Sequence, residues 1–206
     1  MEHDLMIASS YLLLGAGIKY VDQAYDLCVF SKTKAKIVAA FCGILMGYLI
    51  ISDLPSAMIF LAMVIALAIT RKIDNTAFYI GIAFVLMLPI VFDGITKIQW
   101  IPFGILVISG IMDELGNDWA DKRKNKRLVR ALRRKDQKAV YDLAEKFFSH
   151  RFAMKLAVAG IVLFGFFDPV YFLAFLLFDL MYLLVDVYST SIKVYSINRA
   201  RQYSTA

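Results

Sequence analysis

Seven apolar runs divide this chain, and the connectors between them differ sharply in charge. The runs are roughly Leu5–Tyr20, Ile37–Ile51, Ala57–Thr70, Ala77–Phe92, Trp100–Met112, Phe152–Phe167 and Pro169–Val187. Ser-Asp-Leu-Pro at 52–55, Phe-Asp-Gly-Ile-Thr-Lys at 92–97 and Phe-Asp-Pro at 167–169 are tight connectors with little charge. Residues 19–36, Arg71–Lys72, 122–155 and the tail from Lys193 carry nearly all the bases. Of 23 Lys and Arg residues, Lys97 alone falls in the sparse set. Seven crossings of a bilayer would put the two sets on opposite sides, and bases collect on the cytoplasmic side. The pattern predicts an all-α polytopic membrane bundle of about seven transmembrane helices, N-terminus outside and C-terminus cytoplasmic. Several runs are shorter than the ~20 residues of a span, so their polar flanks are expected at interface depth.

Composition agrees: 60% of the residues are hydrophobic, against roughly 45–50% in soluble domains. The 206 residues fit a single integral membrane domain, multi-pass in the cell membrane, with no sizeable domain outside it. Met-Glu-His-Asp at the start lacks a signal peptide's basic region, so the first run is expected to be retained. Cys28 and Cys42 follow no metal spacing and suggest no disulfide framework. The net charge of +6 follows topology rather than any nucleic-acid module, which leaves membrane lipids as the expected partners. A basic cytoplasmic connector runs from about 116 to 151. Lys122–Lys138 holds ten bases in seventeen residues. Val140, Leu143, Ala144, Phe147 and Phe148 follow at helical spacing, which predicts a helical hairpin or an amphipathic helix on the membrane surface.

Chemistry concentrates where the fifth run ends. Gly110 to Lys126 reads Gly-Ile-Met-Asp-Glu-Leu-Gly-Asn-Asp-Trp-Ala-Asp-Lys-Arg-Lys-Asn-Lys, with carboxylates at Asp113, Glu114, Asp118 and Asp121. Acids this close to an apolar run are costly unless they bind a cation, pair with a base or line a wet cavity. A shorter counterpart ends the first run at Asp22 and Asp26. A displacement of 95 residues lays Gly15 on Gly110, Asp22 on Asn117 and Asp26 on Asp121. Four-residue spacing puts Asp22 and Asp26 on one helix face, and Asn117 and Asp121 likewise. Carboxylates and amide oxygens suit Mg²⁺, which commonly bridges protein carboxylates to substrate phosphates. Lys19, Arg71 and Lys72 are the candidate phosphate contacts. Asp74-Asn75-Thr76 reads as a helix N-cap.

Asn117-Asp118-Trp119-Ala120-Asp121 and Asp22-x-x-x-Asp26, on helices four spans apart, resemble the Asp-rich motifs of the UbiA superfamily of membrane prenyltransferases. The resemblance covers about thirty residues. Asn125 stands where the longer family motif has its last Asp, and the fuller motif comes second in this chain. It implies a helical bundle with Mg²⁺ held by Asp22, Asp26, Asp118 and Asp121. An isoprenyl diphosphate would be the substrate and prenyl transfer to an acceptor the reaction. The leading expectation is therefore a Mg²⁺-dependent enzyme on a lipid-linked or isoprenyl (di)phosphate, with Asp22, Asp26, Asp113, Asp118 and Asp121 as its acids and Asn117 assisting.

Two other classes fit the sequence. Asp179 lies ten residues past Pro169, about 15 Å along a helix, which places it near the bilayer midplane, and Asp186 shares its face. A carboxylate there is a functional hypothesis, so a small transporter or channel, built as two three-helix repeats joined by an extra helix, would use Asp179 and Asp186. A non-catalytic scaffold, recruiting a partner through the basic connector, is the third class.

Overall fold

The computed structural model describes residues 1–92, 98–134 and 152–204, and the side chains of these except 121, 124–134 and 197–204. Among the described residues the chain is all α, with no strand. Its helices are α1 (Glu2–Asp26), α2 (Lys32–Ser52), α3 (Leu54–Ile69), α4 (Thr76–Val91), α5 (Trp100–Arg134), α6 (Phe152–Leu163) and α7 (Pro169–Ser204). Each expected apolar run falls mostly within one of them. Two stretches, Lys32–Ser52 and Pro169–Ser196, are long and apolar enough to cross a membrane. The apolar helices α3, α4 and α6, of 16, 16 and 12 residues, are shorter than the ~20 residues of a full span.

Several boundaries depart from the sequence reading: α6 ends at Leu163, short of Phe167, and α7 continues past Val187 to Ser204. Helix α1 continues past Tyr20 to Asp26, and α5 continues past Met112 through the acidic stretch and into the basic connector. No proline interrupts either extension, and Ala, Leu, Lys and Arg, which dominate 120–134, are good helix formers. The rest of the connector, including the amphipathic segment around Val140–Phe148, lies outside the described residues, as does Lys97.

Caps fix the connectors. Asn75 Oδ1 accepts from Phe78 N at 3.0 Å, which makes it the cap of α4 within the expected Asp-Asn-Thr trio. Asp53 Oδ2 accepts from Ser56 N at 2.9 Å and starts α3. At the end of α3, Lys72 N bonds Leu67 O and Arg71 N bonds Ala68 O, the paired closure that calls for a left-handed residue at its turn. Arg71 supplies it, with φ of 56°.

The chain forms two compact units. One comprises Met1–Ala57, Ile73–Lys97 and Asp168–Ala206; the other comprises Met58–Lys72 and Ile98–Phe167. In the first, α1 runs parallel to α7: Gly15 meets Phe178, Gln23 meets Asp186 and Leu27 meets Lys193 in rising order. Helix α2 lies antiparallel to α1, with Cys42 beside Gly17 and Phe30 stacked on Tyr20. It also lies parallel to α4, where Gly43 meets Gly81 and Gly47 meets Leu88. Near the start of α7, Tyr171 Oη donates to Asp53 Oδ1 at 2.5 Å, and Tyr11 Oη donates to Ser56 Oγ at 3.0 Å. These buried hydroxyls tie α1, α3 and α7 at one level. In the second unit α5 runs parallel to α3, with Gly110 against Ala62 and Ala66 and Glu114 against Lys72. Helix α6 returns antiparallel along α5, with Met154 beside Gly110.

Candidate functional site

Among the described residues each unit holds a lysine between two carboxylates, and each lysine is one expected to contact phosphate. In the first unit, Lys19 sits on the stripe of α1 that also carries Gly15 and Gln23, four residues apart along the helix. Its Nζ lies 2.7 Å from Asp22 Oδ2 and 3.0 Å from Asp186 Oδ1, and 4.8 Å from the Tyr182 ring centroid. Gln23 Nε2 donates to the same Asp186 oxygen at 2.7 Å. Ser189 Oγ donates to Asp186 O, and Lys193 Nζ donates to Leu27 O at 2.9 Å, so α7 holds the end of α1 in register. Lys19 and Gln23 are buried. Gln23 Oε1 is buried with no hydrogen-bond partner among the described residues.

Asp26 closes α1 with its outer side exposed. Its carboxyl is raised above the ordinary range, by partial desolvation first and then by Asp22 and Asp74, with Lys19 opposing. Arg71 is exposed. Asp179 is half-buried on α7 next to Phe178, the residue that meets Gly15, and one expected span-face repeat before Asp186.

In the second unit Lys72 Nζ lies 2.8 Å from Glu114 Oε2 and 2.7 Å from Asp118 Oδ1, and it donates to Glu114 O at 3.2 Å. Glu114 is buried, while Asp118 is partly open to solvent. Asn117 is half-buried beside Asp118. The side chain of Asp121 lies outside the described residues. Asp113 has a separate use. Its two oxygens accept from Ala153 N at 2.9 Å and Met154 N at 2.7 Å, so it satisfies the orphan amides that begin α6.

The ammonium of Lys72 is raised above its ordinary value. Burial, the largest effect, pushes it down, but hydrogen bonds to Asp118 and Glu114 and their charges outweigh it. A lysine whose folded value exceeds its unfolded one stabilises fully below the unfolded value, and that stability is lost as pH rises through the folded value. The expected result is a fall in the unfolding midpoint in detergent above about pH 10.5. Lys72→Met should flatten that part of the pH profile, and an unchanged slope would count against the pairing.

The sequence picked both lysines and both acidic helices; the structure adds that Lys19 pairs with Asp22 of its own helix and Asp186 of α7, and Lys72 with Glu114 and Asp118 of α5. The structure has Asp22 and Asp26 in one unit and Asn117 and Asp118 in the other. Sequence reasoning missed Gln23, whose signal was the Gly15-x₃-Lys19-x₃-Gln23 stripe. Among the described residues no three His, Cys, Asp or Glu side chains gather as a metal cage. Mg²⁺ commonly takes one or two carboxylates and completes its shell with waters and substrate phosphates. Each cluster offers a pair of that kind. Comparison with protein families, curated proteins and solved structures finds no match for this chain.

Proposed function

We propose that this is a multi-pass membrane enzyme acting on a lipid-linked or isoprenyl (di)phosphate at the cytoplasmic leaflet, with prenyl transfer as the most concrete reaction. The seven helices of the described residues would cross in alternation, N-terminus outside and C-terminus in the cytoplasm. The directions seen inside each unit support this: odd-numbered helices run parallel to odd ones, and α2 runs parallel to α4. Large apolar side chains such as Leu13, Phe41, Ile44, Leu173 and Leu180 point outward, as a lipid-facing surface requires.

The observation that carries the enzymatic reading is the repeated lysine–dicarboxylate cluster, near the end of α1 and midway along α5. A diphosphate needs cationic donors, and a divalent ion needs carboxylates. Lys19 with Asp22, and Lys72 with Asp118, keep both kinds together, each neutralising the other until a ligand arrives. Phosphate oxygens would take the ammonium hydrogen bonds, and the released carboxylates would face Mg²⁺. Asp22, Asp26, Asp118 and Asp121 are the proposed metal carboxylates, with Asn117 as an amide oxygen beside them. When bound, Mg²⁺ would offset the negative charge that builds on a departing diphosphate. Lys19 would hold phosphate in the first unit, and Lys72 in the second.

A scaffold reading rests on the same clusters, because ion pairs that are complete without a ligand can serve packing alone. Thermal unfolding in detergent, titrated with Mg²⁺ and geranyl diphosphate, separates the two. A ligand selective for the folded state adds RT ln(1 + [L]/Kd), about 2.7 kcal/mol at a hundredfold excess over Kd. The expected outcome is a joint shift in the wild type that is lost in Asp118→Asn. A wild-type midpoint indifferent to both additions would sink the enzymatic reading and leave the scaffold.

A further inference from the structure

We infer that the chain is two copies of a three-helix element, α1–α2–α3 and α5–α6–α7, joined by α4, in which each first helix is paired with the third helix of the other copy, and that a charge reversal at matched positions enforces this exchange.

The register comes from two spacings. Ninety-five residues separate Gly15 from Gly110, Lys19 from Glu114, Gln23 from Asp118 and Asp26 from Asp121. A spacing of 114 residues separates Pro55 from Pro169, near the starts of α3 and α7, and Lys72 from Asp186. Contacts follow the same register in both units. Gly15 on α1 meets the backbone of α7 at Phe178, and Gly110 on α5 meets α3 at Ala62 and Ala66. One helical turn further, Lys19 pairs with Asp186, and its counterpart Glu114 pairs with Lys72, the counterpart of Asp186. Both first-to-third contacts are parallel. Each first helix also packs antiparallel on its own second helix, α1 on α2 and α5 on α6. The two units thus repeat one set of contacts with the ion pair turned around.

That reversal has a consequence for pairing. If α1 packed in the same register on its own third helix, α3, Lys19 would face Lys72. If α5 packed on α7, Glu114 and Asp118 would face Asp186. Like charges brought together at a partly desolvated contact are repulsive, and such repulsion is how closely related interfaces are kept apart. With the same sign at both first-helix positions, the exchanged and unexchanged pairings would be electrostatically equal. Opposite signs leave only the exchanged one with opposite charges facing each other.

The test uses the full-length protein in detergent, with two readouts. The first is the thermal midpoint. Lys19→Glu should lower it, and adding Asp186→Lys should recover most of the loss; Glu114→Lys should behave likewise with Lys72→Glu. The double change Lys19→Glu with Glu114→Lys, which swaps only the first helices, should lower it more than either single change. The second readout reports which helix is the neighbour: Leu27→Cys with Lys193→Cys, in a Cys28→Ser, Cys42→Ser background, joined by a short bis-maleimide. Cross-linking is expected with native charges, a several-fold loss with the first helices swapped, and recovery when Asp186→Lys and Lys72→Glu are added. Failure of either reversed pair to recover the midpoint, or full cross-linking in the first-helix swap, would overturn the inference. Neither readout involves phosphate or Mg²⁺, so its result is independent of the proposed enzymatic reading.

Discussion

Gly15→Ala is expected to destabilise the folded protein by about 2 kcal/mol, within the range that overpacking costs. The sign is the point of the experiment. In an unobstructed helix interior, exchanging Gly for Ala stabilises by about 0.5–1 kcal/mol. At Gly15 the added methyl would overlap the carbonyl oxygen of Phe178. That obstacle is backbone within a continuous helix, so no rotamer change relieves it. Relief requires α1 to withdraw from α7, and the same interface carries the Lys19–Asp186 ion pair and the Gln23–Asp186 hydrogen bond. Gly104→Ala is the matched control, because a methyl there meets nothing within 4 Å, and it should raise stability slightly. Unfolding of both variants in one detergent gives the comparison. If Gly15→Ala stabilises as Gly104→Ala does, α1 and α7 do not approach as described.

Asp113→Ala should cost about 2–4 kcal/mol. Loss of a helix cap typically costs about 1–2 kcal/mol, and each buried donor left unsatisfied costs about 1–3 kcal/mol. Asp113 is buried and gives one oxygen to each of two amides. Asn supplies one acceptor oxygen in place of two, so Asp113→Asn is expected to cost roughly half as much. A ligand-shift measurement adds a second check. Since Asp113 turns its oxygens to the start of α6, Asp113→Asn should keep whatever Mg²⁺ and diphosphate response the wild type has. Loss of that response with unchanged stability would instead move Asp113 into the binding machinery.

These two residues illustrate what the sequence could and could not convey. Helix positions were readable because apolar runs, Pro55, Pro169 and the Asp74–Thr76 cap are local signals. The unbroken course of α1 to Asp26 and of α5 through the acidic stretch was less so, since charge suggested a connector while helix propensity continued. Partners far along the chain left no local mark. Lys19 and Lys72 stood out as cations beside acids, yet Asp186 is 167 residues from Lys19, and only packing of α1 on α7 joins them. Asp113 resembled its neighbours Glu114 and Asp118 in composition; the arrival of α6 overhead gives it a different task. Gln23 carries no charge, so nothing local marks it apart from the helix stripe it shares with Gly15 and Lys19. The 95-residue displacement was visible in three positions, and its charge-reversed member, Lys19 against Glu114, became meaningful once their partners were known.

The contact between α2 and α4 has a consequence for handling the protein. Gly43 lies against the carbonyl of Gly81, whose own Cα faces Ala39, and Gly47 lies against Leu88. At Gly43 and Gly81 two helix backbones touch with no side chain between them. Such a joint draws little on the expulsion of water and has few rotamers to freeze; close van der Waals fit holds it in any apolar medium. Its strength should therefore change little from one detergent or lipid to another. The surfaces built from long side chains would respond to that choice, while the α2–α4 pair keeps its spacing.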